Sequence, residues 1–138
     1  MEQFIVDSSF LFALFSINDS DHYRVRQFMR TSAAALLLPE VALTEVAFLI
    51  NRVGGVPAAA AFMREMAVSK IGRVALSSSD LVRAAAIKEK YATANFDFVD
   101  CCIMALSEGL KITTICTFDR RDFSIFQPTH CDYLTLLP

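Results

Sequence analysis

The 138 residues suit one domain around one core. Hydrophobic residues make up 54% and charged residues 20%, so either helices cover both faces of a sheet or part of the surface is buried against another chain. Asp and Glu (15) outnumber Lys and Arg (13), which argues against a protein that holds nucleic acid mainly by neutralising phosphates and confines any such role to a local site or patch.

In chain order, Phe4 to Val6 reads as a buried strand that runs straight into Asp7. Ser9 can cap a first helix with Phe10, Leu11, Leu14 and Phe15 on its apolar face. The cluster Asn18-Asp19-Ser20-Asp21 is a turn, and His22 to Thr31 a second helix carrying Arg24, Arg26 and Arg30. Ala34 to Leu38 is a second strand, ended by Pro39, which can open a helix from Glu40 to Val53. Gly54-Gly55 stops that helix, and Pro57 to Val68 forms another. Arg73 to Leu76 is a third strand, and Ser77 to Asp80 caps a helix reaching about Thr93. A helix from Val99 to Glu108 is closed by Gly109, Ile112 to Cys116 is a fourth strand, Thr117 to Asp122 a loop, and Tyr133 to Leu136 a fifth strand.

Nearly all-apolar strands alternating with helices predict an α/β fold, a parallel sheet covered on both faces in one domain spanning residues 1–138. No apolar run approaches the ~18 residues of a membrane span. No basic region precedes an apolar run near the start, so no signal peptide is expected. Cys101, Cys102, Cys116 and Cys131 form no CxxC pair and, with only His22 and His130 beside them, no zinc spacing. Cys101 and Cys102 lie in an apolar helical pattern and Cys116 in an apolar strand, which reads as buried thiols in a reducing cytoplasm.

Several acids resist a packing explanation. Glu45 has Val41, Ala42, Phe48 and Leu49 three and four residues away, the face expected to turn inward. Asp100 repeats the pattern against Ile103 and Met104 in a first helical turn, where Asp97 looks more like the cap. Asp119 follows the fourth strand, as Asp7 follows the first, so a parallel sheet delivers both to one edge. Asp122, three residues on, is an ordinary turn acid by itself. Carboxylates crowded into one pocket repel unless a cation intervenes, and an oxygen-only donor set suits Mg²⁺ or Mn²⁺.

The pieces FIVDSS with Asp7, LTEVAFLI with Glu45, DFVDCCIMALSEGL with Asp100, and ICTFDRRDF with Thr117, Asp119 and Asp122 form an ordered set over essentially the whole chain. In order, spacing and total length the chain resembles the PIN-domain ribonucleases, most closely the small bacterial and archaeal toxins called VapC. The resemblance implies a three-layer α/β/α domain with a five-stranded parallel sheet in the order 3-2-1-4-5. It implies a metal site of Asp7, Glu45, Asp100 and Asp119, with Asp122 assisting and Thr117 hydrogen-bonding within it; Asp97, beside Asp100, is a further supporting candidate. It implies Mg²⁺- or Mn²⁺-dependent cleavage of single-stranded or loop RNA by in-line attack of water, a homodimer, and inhibition by a cognate antitoxin of a type II toxin–antitoxin pair. Ser9, Arg120 and Arg121 are candidates to meet the substrate, as are Arg24, Arg26 and Arg30. The chain departs in carrying the extra Asp97 and the Cys101-Cys102 pair.

Two other readings compete. An aspartyl-phosphate-forming phosphatase would use Asp7 as a nucleophile, but it wants a second acid where this chain has Ser9, and Lys111 precedes its strand. A catalytically silent PIN-like binding module would keep the pocket and lose cleavage; the presence of all four principal acids argues against it.

Overall fold

A computed structural model describes residues 1–138. Strands β1 (Gln3–Val6), β2 (Ala35–Pro39), β3 (Gly72–Val74), β4 (Thr114–Cys116) and β5 (Thr135–Leu137) form one sheet in the order β3-β2-β1-β4-β5. Every pairing is parallel. Ile5 in the central strand lies opposite Leu37 on one side and Ile115 on the other. Ile5, Val6 and Ile115 are completely buried, because helices cover both faces of the sheet.

Helices α1 (Ser8–Phe15), α2 (His22–Thr31) and α3 (Glu40–Val68) pack together, as do α4 (Ser78–Lys90), α5 (Phe98–Leu110) and α6 (Arg121–Ile125). The three-layer α/β/α architecture and strand order expected from the sequence are present. One cluster of 31 buried apolar residues fills the layers. Helix α5 supplies an unbroken buried run from Val99 to Ser107, including Cys101 and Cys102, so it is enclosed on all sides. Cys116 is buried as well, and all four cysteines are free thiols. Arg83 of α4 grips Glu108 of α5 at 2.5 and 3.0 Å, and the same carboxylate accepts the Thr129 N–H at 2.9 Å, anchoring the segment that leads into β5.

Three local expectations need correction. Helix α1 begins two residues earlier than a Ser9 cap would allow, because the Asp7 carboxylate accepts the Phe10 N–H and is the cap. Gly109 does not end α5. The helix continues to Leu110 and Lys111 takes the left-handed turn at φ 57°, while Gly109 sits where an added Cβ would lie 3.4 Å from Asp80 Oδ1. The segment expected to be loop up to Asp122 leads into α6, too short for a periodic pattern to reveal.

The interruption expected at Gly54-Gly55 is present in α3. Residues 40–68 form a 29-residue helical segment that is long and apolar enough to cross a membrane by length and composition alone. It is not a continuous rod. Gly55 adopts φ 73°, ψ −167°, a conformation essentially reserved for glycine, and Pro57 restarts the helix beyond it. The break falls where the Gly54-Gly55 pair predicted a stop. The first half borders an acidic cleft.

Candidate metal centre

Chain connections leave β1 and β4 toward opposite ends of the sheet, so the crevice at their carboxyl ends is the topological switch point, where parallel sheets place their sites. Asp7 follows β1 directly and is 4% exposed. Its Oδ1 accepts the Phe10 N–H at 3.0 Å and the Ser9 hydroxyl at 2.8 Å. Its Oδ2 accepts the hydroxyl of Thr117, the fully buried residue that follows β4. Thr117 Oγ1 in turn accepts the Asp119 N–H at 2.9 Å, and Ser9 Oγ accepts the Phe118 N–H at 2.9 Å. Two strand ends are thus laced together through two hydroxyls, and Asp7 is fixed in one orientation.

Helix α5 brings two more acids. Asp97 is its cap and accepts the Asp100 N–H at 2.8 Å. Asp100, one turn in, is 7% exposed, and its Oδ2 is buried with no hydrogen-bond partner. A buried carboxylate oxygen left unpaired is costly, so its presence calls for a ligand. From α3, Glu45 faces the same crevice and accepts the Ser8 hydroxyl. Contrary to the expectation of an inward face, Glu45 is exposed. The side of α3 that carries it opens into the cleft rather than the core.

The result is a cleft of about 530 Å³. Asp7, Glu45, Asp97, Asp100 and Asp119 line it together with Ser8, Ser9 and Thr44, and Phe48 and Leu49 are its two apolar wall residues. Thr117 lies beneath it against Asp7. Asp122 is buried, near enough to Asp100 to bear on its charge, but forms no part of the wall and is paired with Arg121 at 2.7 Å. Arg120 and Arg121 also stay outside. The Arg120 guanidinium donates to the Pro138 carbonyl at 2.6 Å, and Arg121 donates to Asp122 and to the Ala94 carbonyl. Arg24 lies over the Phe118 ring, 5.3 Å from its centre, and reaches the same Pro138 carbonyl.

The electrostatics follow from this crowding. Burial pushes the Asp7 carboxyl up from 3.8 to about 6, with Asp119 adding to the effect, while the bonds from Thr117, Phe10 and Ser9 restrain it. Burial pushes Asp100 to about 9, reinforced by the charges of Asp97, Asp7 and Asp122. Without a cation, Asp100 would hold its proton at neutral pH. No three acids converge closely enough to form a ready-made metal cage. Mutual repulsion keeps uncompensated carboxylates apart, so the splayed arrangement agrees with a site that closes on its ion. The donors are all oxygens, one of them a buried orphan, and they fit a hard divalent cation.

Sequence reasoning missed Ser8, Thr44 and Phe48 as parts of this cleft. Thr44 and Phe48 were visible one and three residues from Glu45; Ser8 had no signal beyond its place next to Asp7.

The sequence pattern of the PIN domain family matches residues 4–126. Ribonuclease VapC26 of Mycobacterium tuberculosis is 30% identical over 134 residues, covering 97% of this chain and 99% of that protein. Among solved structures, M. tuberculosis VapC20, described as a Sarcin-Ricin loop cleaving toxin, superposes with a TM-score of 0.81 at 21% identity, covering 93% of this chain and 98% of that one. FitAcB from Neisseria gonorrhoeae superposes with a TM-score of 0.73 at 12% identity, covering 98% and 96%.

Proposed function

This chain belongs to the PIN domain family, and on that premise we propose that it is an endoribonuclease that hydrolyses single-stranded or loop RNA with Mg²⁺ or Mn²⁺. The observation that carries the proposal is Asp100, a buried acid with a free oxygen held beside a second buried acid, Asp7. No folding role explains the pair, and a cation between them does.

Asp7, Glu45, Asp100 and Asp119 would hold the ion. Bound there, it would activate water for attack and stabilise charge on the departing oxygen. Thr117 and Ser9 keep Asp7 ionised and oriented by donating to its two oxygens. Asp97 fixes the first turn of α5, which presents Asp100. Glu45, exposed on the facing wall and oriented by Ser8, can take a proton from water in the cleft. An aspartyl-phosphate mechanism fits poorly, since both oxygens of Asp7 already accept hydrogen bonds from fixed donors.

The partner reading rests on α3. Val53, Val56 and Met63 lie exposed around its break, and Phe15, Ile17, Ile50 and Phe62 line an apolar groove there. Such a surface suits a protein partner, and relatives of this fold include a toxin–antitoxin complex from Klebsiella pneumoniae. We assign it to a cognate antitoxin, with a second copy of the chain as the other candidate.

The test is incubation of purified protein with total RNA and Mn²⁺, followed by mapping of the cut ends. The expected result is a discrete set of cuts with 5′-phosphate and 3′-hydroxyl ends, abolished by EDTA and restored by Mg²⁺ or Mn²⁺. Cleavage indifferent to chelation rejects the metal chemistry, and no cleavage of any RNA leaves the silent binding module.

A further inference from the structure

We propose that Phe48 is a stacking platform for an unpaired nucleobase beside the scissile phosphate, an inference that rests on the ribonuclease reading above. Residues 45, 48 and 49 lie three and four apart on α3 and so share one face. That face is a wall of the acidic cleft, which puts the Phe48 ring one helical turn from Glu45. The ring is 65% exposed. A phenylalanine that uncovered contributes little to the core, and Phe48 is absent from the packed cluster that holds its neighbour Val46.

The rest of the cleft explains why an aromatic face is useful there. Its lining contains carboxylates and hydroxyls but no Lys or Arg. The arginines closest in sequence to the site are engaged elsewhere, Arg120 on Pro138 and Arg121 on Asp122 and Ala94. No side chain of the lining itself can neutralise a phosphate, and the chain as a whole is acidic. Every base has a π face, so a ring can bind one without a cation and without reading sequence. A base within a duplex hides that face against its neighbours, so the same contact selects unpaired nucleotides. The cleft volume of about 530 Å³ lies within the range of small-ligand sites.

The probe is a single-stranded RNA containing a cut mapped as described above, with 2-aminopurine at each nucleotide flanking that cut in turn. In an Asp100→Asn background, where the strand stays intact, binding should quench 2-aminopurine fluorescence at one flanking position. Adding Phe48→Leu, which keeps apolar area but removes the ring, should abolish the quench. In the otherwise unaltered enzyme Phe48→Leu should raise KM on the order of tenfold, while Phe48→Tyr matches wild type. Melting temperatures within a degree or two of wild type would show that the exposed substitutions leave the fold alone. Equal quench and equal KM in Phe48→Leu overturn the inference and leave the ring to a protein contact, such as the antitoxin. A wild-type protein that cuts no RNA removes the ribonuclease reading itself, and this inference with it.

Discussion

Asp100 shows how one residue can be costly for folding and necessary for chemistry. Its carboxyl is buried, has one oxygen without a donor, and is pushed to about 9 by burial and by the acids around it. Asp100→Asn keeps the shape and removes the need to take up a proton on folding. The expected outcome is loss of RNA cleavage together with a melting temperature several degrees higher at pH 8 without metal. Thermal melts beside a cleavage assay check both; retained cleavage would reject Asp100 as a ligand. The residue was legible from the sequence because an acid in an apolar helical face is improbable. Glu45 was singled out by the same argument, but on a different physical footing. Its face is apolar because Phe48 and Leu49 line a cleft, and a periodic pattern cannot distinguish a cleft wall from a core. Arg120 and Arg121 were chosen by proximity along the chain, and proximity said nothing of where their guanidinium groups would go.

Among the elements, the strands and long helices were readable because their burial is continuous. Five apolar runs alternating with helical periodicity admit few topologies besides a covered parallel sheet. Helix α6 was not readable, since its five residues are set by the buried Asp122 and Phe123 rather than by any repeat. The break in α3 was readable because Gly55 occupies backbone space closed to other residues. Gly55→Ala should therefore destabilise the protein by about 1–3 kcal/mol. An added Cβ would lie 3.8 Å from its nearest neighbour, Pro57 Cδ, so the cost comes from the backbone and not from a clash. Chemical denaturation measures it. Unchanged stability would mean that the two halves of α3 can join into one helix without loss.

For the molecule as a whole, the acids tie stability to pH. Asp7 and Asp100 both have folded-state values above the ordinary range, about 6 and about 9. Between pH ~4 and ~9 the metal-free folded chain therefore binds more protons than the unfolded chain, and its stability falls as pH rises across that window. For Asp7 alone the loss is roughly 2–3 kcal/mol. Chelated protein should melt at a higher temperature at pH 5 than at pH 8, and Mg²⁺ or Mn²⁺ should recover the difference at pH 8. A pH-independent melting temperature in EDTA would contradict the crowded-acid description. The strand order adds a matter of timing. The Thr117 N–H is held by the Leu137 carbonyl at 2.7 Å, so β5 sets the position of the hydroxyl that orients Asp7. During synthesis residues 7, 45, 100 and 119 all leave the ribosome before residue 135 does. A growing chain carries every acid of the centre while still lacking the strand that holds Thr117, and the Thr117–Asp7 contact takes its final form only when that strand joins the sheet.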